Sequence, residues 1–198
     1  MNKHLPPIRL LNSEGRCFSF DERGAGFGRG EGVGIVALKR LDDALRDGDN
    51  VRAIIRASGA NQDGRTNGIT LPSQFAQERL AQKLFQNLPF EPKDIQYAEA
   101  HGTGTKAGDM LEMQAIKNVF CDGRSLETPL ILGTSKPNIG HSEAAAGVAG
   151  LIKTIMCLEK GQIPPNILLE KYKPTLKPDE WNLKVSRILC RFKRLNLI

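Results

Sequence analysis

A layered α/β domain is the fold class that this sequence predicts, and three observations predict it. Short apolar, β-branched runs recur along the chain, and amphipathic helical patterns fall between them. The composition is globular rather than disordered, with 40% hydrophobic and 25% charged residues in 198. That length is enough for one domain with a real core, and no internal repeat or long low-complexity linker divides it.

Four runs read as strands buried on both faces: residues 32–39 (GVGIVALK), 51–57 (VRAIIRA), 95–100 (IQYAEA) and 129–134 (PLILGT). The first is entered through residues 24–34 (GAGFGRGEGVG), with glycine at every second position. No register of it gives GxGxxG and there is no Walker A pattern, which disfavours a nucleotide loop. Alternating glycines fit a close approach of backbone along one face. Pro72 opens a helical pattern in which Phe75, Leu80, Leu84 and Leu88 return to one face. Leu111, Ala115, Val119 and Phe120 mark a second helix after Gly108 and Asp109. A third runs from about Ser142 to Lys160, with Gly161 as its C-terminal stop and Pro164–Pro165 beyond. Its first two turns (Ala144, Ala145, Ala146, Gly147, Ala149, Gly150) carry almost no bulk. Gly costs ~1 kcal/mol against Ala inside a helix, so two such positions predict a buried central helix packed closely on a neighbour.

Bulk properties exclude several function classes. The net charge is +6, but Lys184, Arg187, Arg191, Lys193 and Arg194 all follow the last acidic residue, Glu180, leaving the body near neutral. A nucleic-acid interface spreads basic residues over a folded face with aromatics interleaved; here the excess reads as a solvated tail, and no nucleic-acid partner is expected. No apolar run reaches the ~18 residues that cross a bilayer, and the N-terminus lacks a secretory signal. The expectation is a cytoplasmic protein without a membrane partner. The four cysteines, at 17, 121, 157 and 190, form no CxxC pair and no zinc spacing. Cys157 reads as a packed core thiol, while Cys17 and Cys121 sit in loop-like text with surface or boundary roles.

Two clusters carry chemistry. Glu99-Ala-His101-Gly-Thr103-Gly-Thr105, followed by Gly108-Asp109, places His101 at the C-terminal end of a predicted strand, where open α/β sheets bind ligands. Taken alone, such a histidine is either catalytic or structural. Lys136-Pro-Asn138-Ile-Gly140-His141-Ser-Glu143 follows another predicted strand and leads into the small-residue helix. At a helix N-terminus the dipole favours a neutral imidazole, able to donate a hydrogen bond to a developing oxyanion. Lys136, five residues before His141, is placed either to hold a carboxylate or to tune the site. Rival chemistries fit less well. The H-x-E of His141–Glu143 lacks the P-C-x-x-C of zinc deaminases, neither histidine has a metal-ligand companion at suitable spacing, and no GxSxG elbow is present. No metal is expected.

With its trailing Gly-Asp, the EAHGTGT stretch (residues 99–105) resembles one histidine motif of polyketide-type β-ketoacyl synthases, and KxNIGHxEAAAGVAGLIK (136–153) resembles the other. Flanking text agrees: FDERGAGFGRGEGVGIVALKRLDDA (20–44), ASGANQDGRTNGITLPSQ (57–74), IPPN (163–166) and DEWNLKV (179–185). The resemblance runs from about Ser13 to Val185 and is to the C-terminal half of the ketosynthase of fungal reducing synthases. It implies a thiolase-like fold, here its C-terminal half with a mixed sheet, and a usual homodimer. It also implies decarboxylative Claisen condensation of malonyl units onto an acyl thioester. His101, His141 and Lys136 are then the implied catalytic residues, and Thr103, Thr105 and Asn138 the implied substrate-binding ones. The substrate comes on the phosphopantetheine of an acyl carrier protein, with no cofactor bound directly.

The family's cysteine nucleophile, in a motif ending Cys-Ser-Ser, has no counterpart here, and Cys17 sits where the family has an ordinary loop residue. The closing FGFGG turn is also missing: after Val185 the text becomes SRILCRFKRLNLI. Met110 replaces the usual proline after Gly-Asp, and Pro137 replaces a Thr or Ser, which is expected to shift Lys136. The expected organisation is therefore a truncated ketosynthase half over residues 1–185 and a divergent basic tail over 186–198. Condensation by this chain alone is not expected. Three roles follow: a half-site completed by a separate cysteine-bearing half, a silent partner of a carrier or synthase subunit, or a remnant without function.

Overall fold

The computed structural model describes residues 10–68 and 70–192. In chain order its elements are α1 (Leu41–Arg46), α2 (Gln74–Phe85), β1 (Tyr97–Glu99), α3 (Gly108–Phe120), β2 (Leu130–Gly133), α4 (Lys136–Ile139), α5 (Ala146–Lys160), β3 (Gln162–Ile163), β4 (Leu183–Val185) and β5 (Cys190–Arg191). The centre is a parallel sheet in the order β1-β2-β4, in which Glu99 registers with Gly133 and Leu132 with Val185. β3 and β5 form a separate antiparallel pair. The mixed sheet of the sequence reading is thus resolved into two sheets of opposite sense.

Leu130, Leu132, Leu183 and Val185 point into a core completed by Phe20, Ala100, Met113, Cys121, Leu169 and Leu176. Burial of such side chains is the main stabilising term, ~1.5–3 kcal/mol each. Met113, with Ile116 and Phe120 beside it, brings α3 onto this core. The Ser73 hydroxyl caps α2 by accepting from the Ala76 N–H. Leu80 and Leu84 of α2 turn inward, but Phe75, expected on the same face, is exposed. It lies only one residue before the buried Ala76, about 100° round the helix from it.

Two of the four apolar runs depart from the sequence reading. Residues 32–39 and 51–57 form no ladder, and Val33, Ile35 and Leu38 are 91%, 86% and 74% exposed. A strand is stabilised by main-chain partners on a neighbour, and among the described residues none is offered to either run. α5 is also less buried than its small residues suggest. Only Ala146 and Cys157 are buried, Gly147 meets open space, and Gly150 packs on the Glu99 side chain. Its small residues serve one contact line, against β1, rather than burial all round. Gly161 ends it in the left-handed conformation, φ 62°.

The segment after Val185 is docked as far as Phe192. β5 pairs with β3, the Phe192 N–H donates to the Gly161 carbonyl, and its ring meets Tyr97 edge-on at 6.4 Å. Arg187 stacks over Tyr172 at 5.2 Å. Its attachment is by main-chain pairing and the Phe192 ring, while Arg187, Ile188, Leu189 and Arg191 remain exposed. Lys193 and Arg194 lie outside the described residues. Cys17 and Cys121 are buried, contrary to their loop-like text, as is Cys157.

One buried carboxylate ties these parts together. Asp109, fully buried at the start of α3, accepts from the Phe20 N–H at 2.8 Å and the Gly104 N–H at 2.9 Å. It also pairs with the buried Lys173 ammonium at 2.8 Å, which donates in turn to the Thr105 carbonyl at 2.7 Å. Asp109→Ala leaves the buried Lys173 without its counter-charge, with only the Thr105 carbonyl as acceptor, and orphans two N–H groups. It should lower unfolding stability by about 3–5 kcal/mol, read from urea midpoints at constant slope. A loss below about 1 kcal/mol would mean the pair is as weak as a surface one.

Candidate active site

Adjacent parallel strands bring their carboxyl ends to one edge, and the two histidine motifs leave from that edge. β1 ends at Glu99 and β2 at Gly133, its register partner, so His101 and Lys136 each follow within three residues. The His101 and His141 rings lie with centroids 5.0 Å apart, nearly perpendicular. The loops are joined directly. The Thr134 hydroxyl donates to the His101 carbonyl at 3.3 Å. The Glu99 carboxylate accepts from the Ser135 N–H at 2.7 Å and from the Lys153 ammonium of α5 at 2.8 Å. One side chain thereby links both strand ends to the small-residue helix.

The alternating glycines cradle His141. Its N–H donates to the Gly28 carbonyl at 2.7 Å and its carbonyl accepts from the Gly30 N–H at 3.0 Å. A Cβ on Gly30 would lie 2.0 Å from the Ile139 carbonyl oxygen. Gly140, at φ 73°, would place one 2.6 Å from the Arg29 carbonyl oxygen. The two backbones cross in contact, which only glycine permits on both sides. Gly32 faces open space, so the close approach covers only part of the glycine run. The Phe27 ring meets His141 edge-on at 5.1 Å.

The hydrogen bonds set the tautomer of His141. The Glu143 N–H donates to Nδ1 at 3.1 Å, so Nδ1 is an acceptor and the proton of the neutral ring sits on Nε2. Glu143 holds a positive φ of 50° at this turn, and its carboxylate is paired with Arg29 at 2.8 Å. The His141 pKa lies below its ordinary value through burial, with the Lys136 and Arg29 cations adding to the effect against Glu143. The helix-dipole argument from the sequence contributes little. Between His141 and α5 stands only a single 3-10 turn, Glu143–Ala145, with the first residue of α5 five positions on. His101 is pulled from 6.5 to about 4 by the protein packed against one side of its ring, then by Lys136 and His141, although its outer edge is open to solvent. Both imidazoles are neutral near pH 7.

Lys136 is buried at the start of α4, and burial lowers its pKa, opposed by Glu112 and Glu99. Pro137 is accommodated within the first turn of that helix, where its missing N–H leaves no gap. Thr103 is buried, its hydroxyl 3.2 Å from that of Thr105. Asn138 is exposed on α4. Glu112 is a residue that the motif reading passed over. Its two carboxylate oxygens accept from the His101 N–H at 2.5 Å and the Gly102 N–H at 2.8 Å, clamping the turn that carries His101. Burial raises its pKa from 4.5 to about 7. The available signal was its place three residues after Asp109, which puts both carboxylates on one helix face towards the loop. A cavity of about 540 Å³ between α2, α3 and β1 reaches Glu99 and Glu112 from behind, but neither histidine lines it.

Cys17 lies close to this site yet is fully buried. Its sulfur accepts from the Gly28 N–H at 3.3 Å, and burial raises its pKa. Raised rather than lowered, the thiol has little nucleophilic thiolate.

The model of the β-ketoacyl synthase C-terminal domain matches residues 52–170, and that of the N-terminal domain matches 4–44. The chain belongs to the β-ketoacyl synthase family, and its fold is thiolase-like. It is 52% identical over 178 residues to the highly reducing polyketide synthase tstA of Talaromyces stipitatus, covering 90% of this chain and 7% of that protein. It is 54% identical over 185 residues to the highly reducing polyketide synthase cla2 of Cladosporium cladosporioides, covering 93% of this chain and 8% of that protein. The ketosynthase from module 6 of the bacillaene synthase of Bacillus subtilis 168 superposes with a TM-score of 0.89 at 37% identity. It covers 94% of this chain and 33% of that one. The chain thus spans less than a tenth of these curated relatives and a third of the solved ketosynthase.

The site geometry sets an expectation for titration. In histidine-edited NMR, His101 stays neutral down to about pH 4, and His141 shows the Nε2–H tautomer at neutral pH. Lys136→Met removes a nearby positive charge that opposes protonation, so the His101 pKa rises towards 6.5. An unchanged His101 pKa in that variant would show that the Lys136 charge does not reach the imidazole.

Proposed function

We propose that this chain forms the histidine side of a condensing site in polyketide assembly, acting on acyl units carried by the phosphopantetheine of an acyl carrier protein. The observation that carries the proposal is the pair of neutral imidazoles at adjoining strand ends, with centroids 5.0 Å apart and the His141 proton on Nε2. In the proposed reaction the malonyl carboxylate leaves as carbon dioxide, and the pair of electrons from the broken C–C bond passes to the thioester oxygen. His101 and His141 donate to that developing oxyanion. Donors already in place, in a site partly closed to water, need no reorganisation as the charge forms. The enolate carbon then attacks the acyl thioester of a cysteine, whose sulfur leaves with its electron pair.

Burial keeps both rings neutral, with the Lys136 charge adding to it, while Glu112 holds the His101 turn and Glu99 ties the end of β1 to the segment after β2. Thr103, Thr105 and Asn138 meet the pantetheine arm. The cysteine comes from outside this chain, since burial suppresses the Cys17 thiolate. No directly bound cofactor enters the scheme.

The test is malonyl-carrier protein incubated with this chain and a cysteine-bearing ketosynthase half, followed by mass spectrometry of the carrier-bound acyl group. His101→Ala and His141→Ala should each slow conversion of malonyl to acetyl carrier by about 10²–10³. The chain alone should form no carbon–carbon bond. Rates unchanged in both variants, or condensation by the chain alone, would sink the assignment.

A further inference from the structure

The condensing chemistry gives no task to the ion pair of Arg29 and Glu143, which stands beside His141. Their charged atoms meet at 2.8 Å across 114 positions of sequence. Both side chains are more than half exposed, so the pair adds little to stability. Its placement, in contrast, is fixed from three sides. Arg29 is the register partner of His141, flanked by Gly28 and Gly30, whose carbonyl and N–H bind the histidine main chain. Its guanidinium lies 5.8 Å from the centre of the Phe27 ring, the same ring that meets the imidazole edge-on. Glu143 is held by the turn in which its own N–H donates to His141 Nδ1. The positive φ of that turn, 50°, is a costly conformation for a residue with a side chain.

The turn creates a conflict. With Nδ1 occupied, the proton that His141 is able to donate sits on Nε2. The second Glu143 oxygen, Oε2, stands 3.9 Å from that nitrogen, just beyond hydrogen-bond reach. A small rotation of an unpaired carboxylate would close the gap. It would then capture the Nε2 proton and draw the ring towards imidazolium. Arg29 opposes this by holding Oε1 and by balancing the charge. The other groups around His141 do not replace it. Lys136 is a buried cation of the same segment, but its charge is set against Glu112 and Glu99. His101 presents a neutral ring, and Cys17, near the His141 main chain, keeps its thiol protonated through burial.

We propose that Arg29 is a positioning residue for His141: it pins the Glu143 carboxylate away from Nε2 and keeps that N–H free for an oxyanion. The use of the freed N–H rests on the proposed function, whereas the pinning is a property of the chain itself.

The test is histidine-edited NMR titration of the full chain and its variants. Arg29→Met should raise the imidazolium-to-imidazole ratio of His141 about tenfold at a fixed pH, and Arg29→Lys should restore it. Glu143→Gln should lower the ratio. With that glutamate removed, Arg29→Met should change the ratio by less than about twofold, since the remaining charge effect is screened. Urea midpoints should stay in place, because both side chains are exposed. A ratio unchanged in Arg29→Met, or raised as much without Glu143 as with it, would overturn the role. These readouts need no substrate. Malonyl-carrier decarboxylation with an added cysteine-bearing half then separates the role from the proposed function. Arg29→Met should slow that reaction about tenfold, and Arg29→Lys should recover it. A shifted His141 titration with an unchanged rate would reject the proposed function and leave the role of Arg29 standing.

Discussion

The buried Asp109 carboxylate is the constraint on which the rest of the site depends. Its two oxygens hold the backbone of Phe20 and Gly104, and its charge is balanced by Lys173, which reaches in from the far end of the chain. A charge taken out of water costs several kcal/mol unless it is paired and hydrogen-bonded. The geometry around Asp109 therefore leaves little freedom to three segments that are remote in sequence. The HGTGT loop, the segment leading into the glycine run and the strap before β4 are fixed by one group. The His101 turn inherits its position from that arrangement.

A second carboxylate performs the matching task at the strand ends. Glu99 binds Ser135 and Lys153, so the end of β1, the start of the His141 motif and α5 move as a unit. Glu112 clamps the His101 turn from below through two N–H groups. The two imidazoles are thus placed by main-chain contacts of three acidic side chains, with no hydrogen bond between the rings themselves. Their neutrality follows from partial burial near the Lys136 and Arg29 cations. Preorganised donors of this kind act without rearranging when an oxyanion forms.

The glycine run shows how much a pattern conveys without saying where it applies. Alternation every two residues implied a close approach of backbone, and Gly28 and Gly30 do carry the main-chain ladder to His141. The partner was invisible in the sequence, because the contact spans more than 100 positions and depends on the sharp turn at Gly140. Glu112 was similarly overlooked, since a single glutamate on a helix reads as solvated surface until the loop it clamps is known. In the other direction, the apolar runs at 32–39 and 51–57 read as buried strands, yet the structure leaves them on the surface. Apolar periodicity reports what a segment is able to bury, whereas burial itself needs a partner.

The sequence by itself determined the layered α/β character, the β1 and β2 strands, three long helices with the Gly161 stop of the third, and the two histidine motifs at strand ends. These rest on local periodicity, capping and spacing, which are properties of neighbouring residues. Only the tertiary structure decided that the two histidines face each other, that His141 carries its proton on Nε2, and that Cys17 is sealed from the site it adjoins. It also decided that residues 190–192 dock against β3 and Gly161. Each of these is fixed by hydrogen bonds, burial or charge between segments distant in the chain, and no local pattern encodes which distant group will arrive.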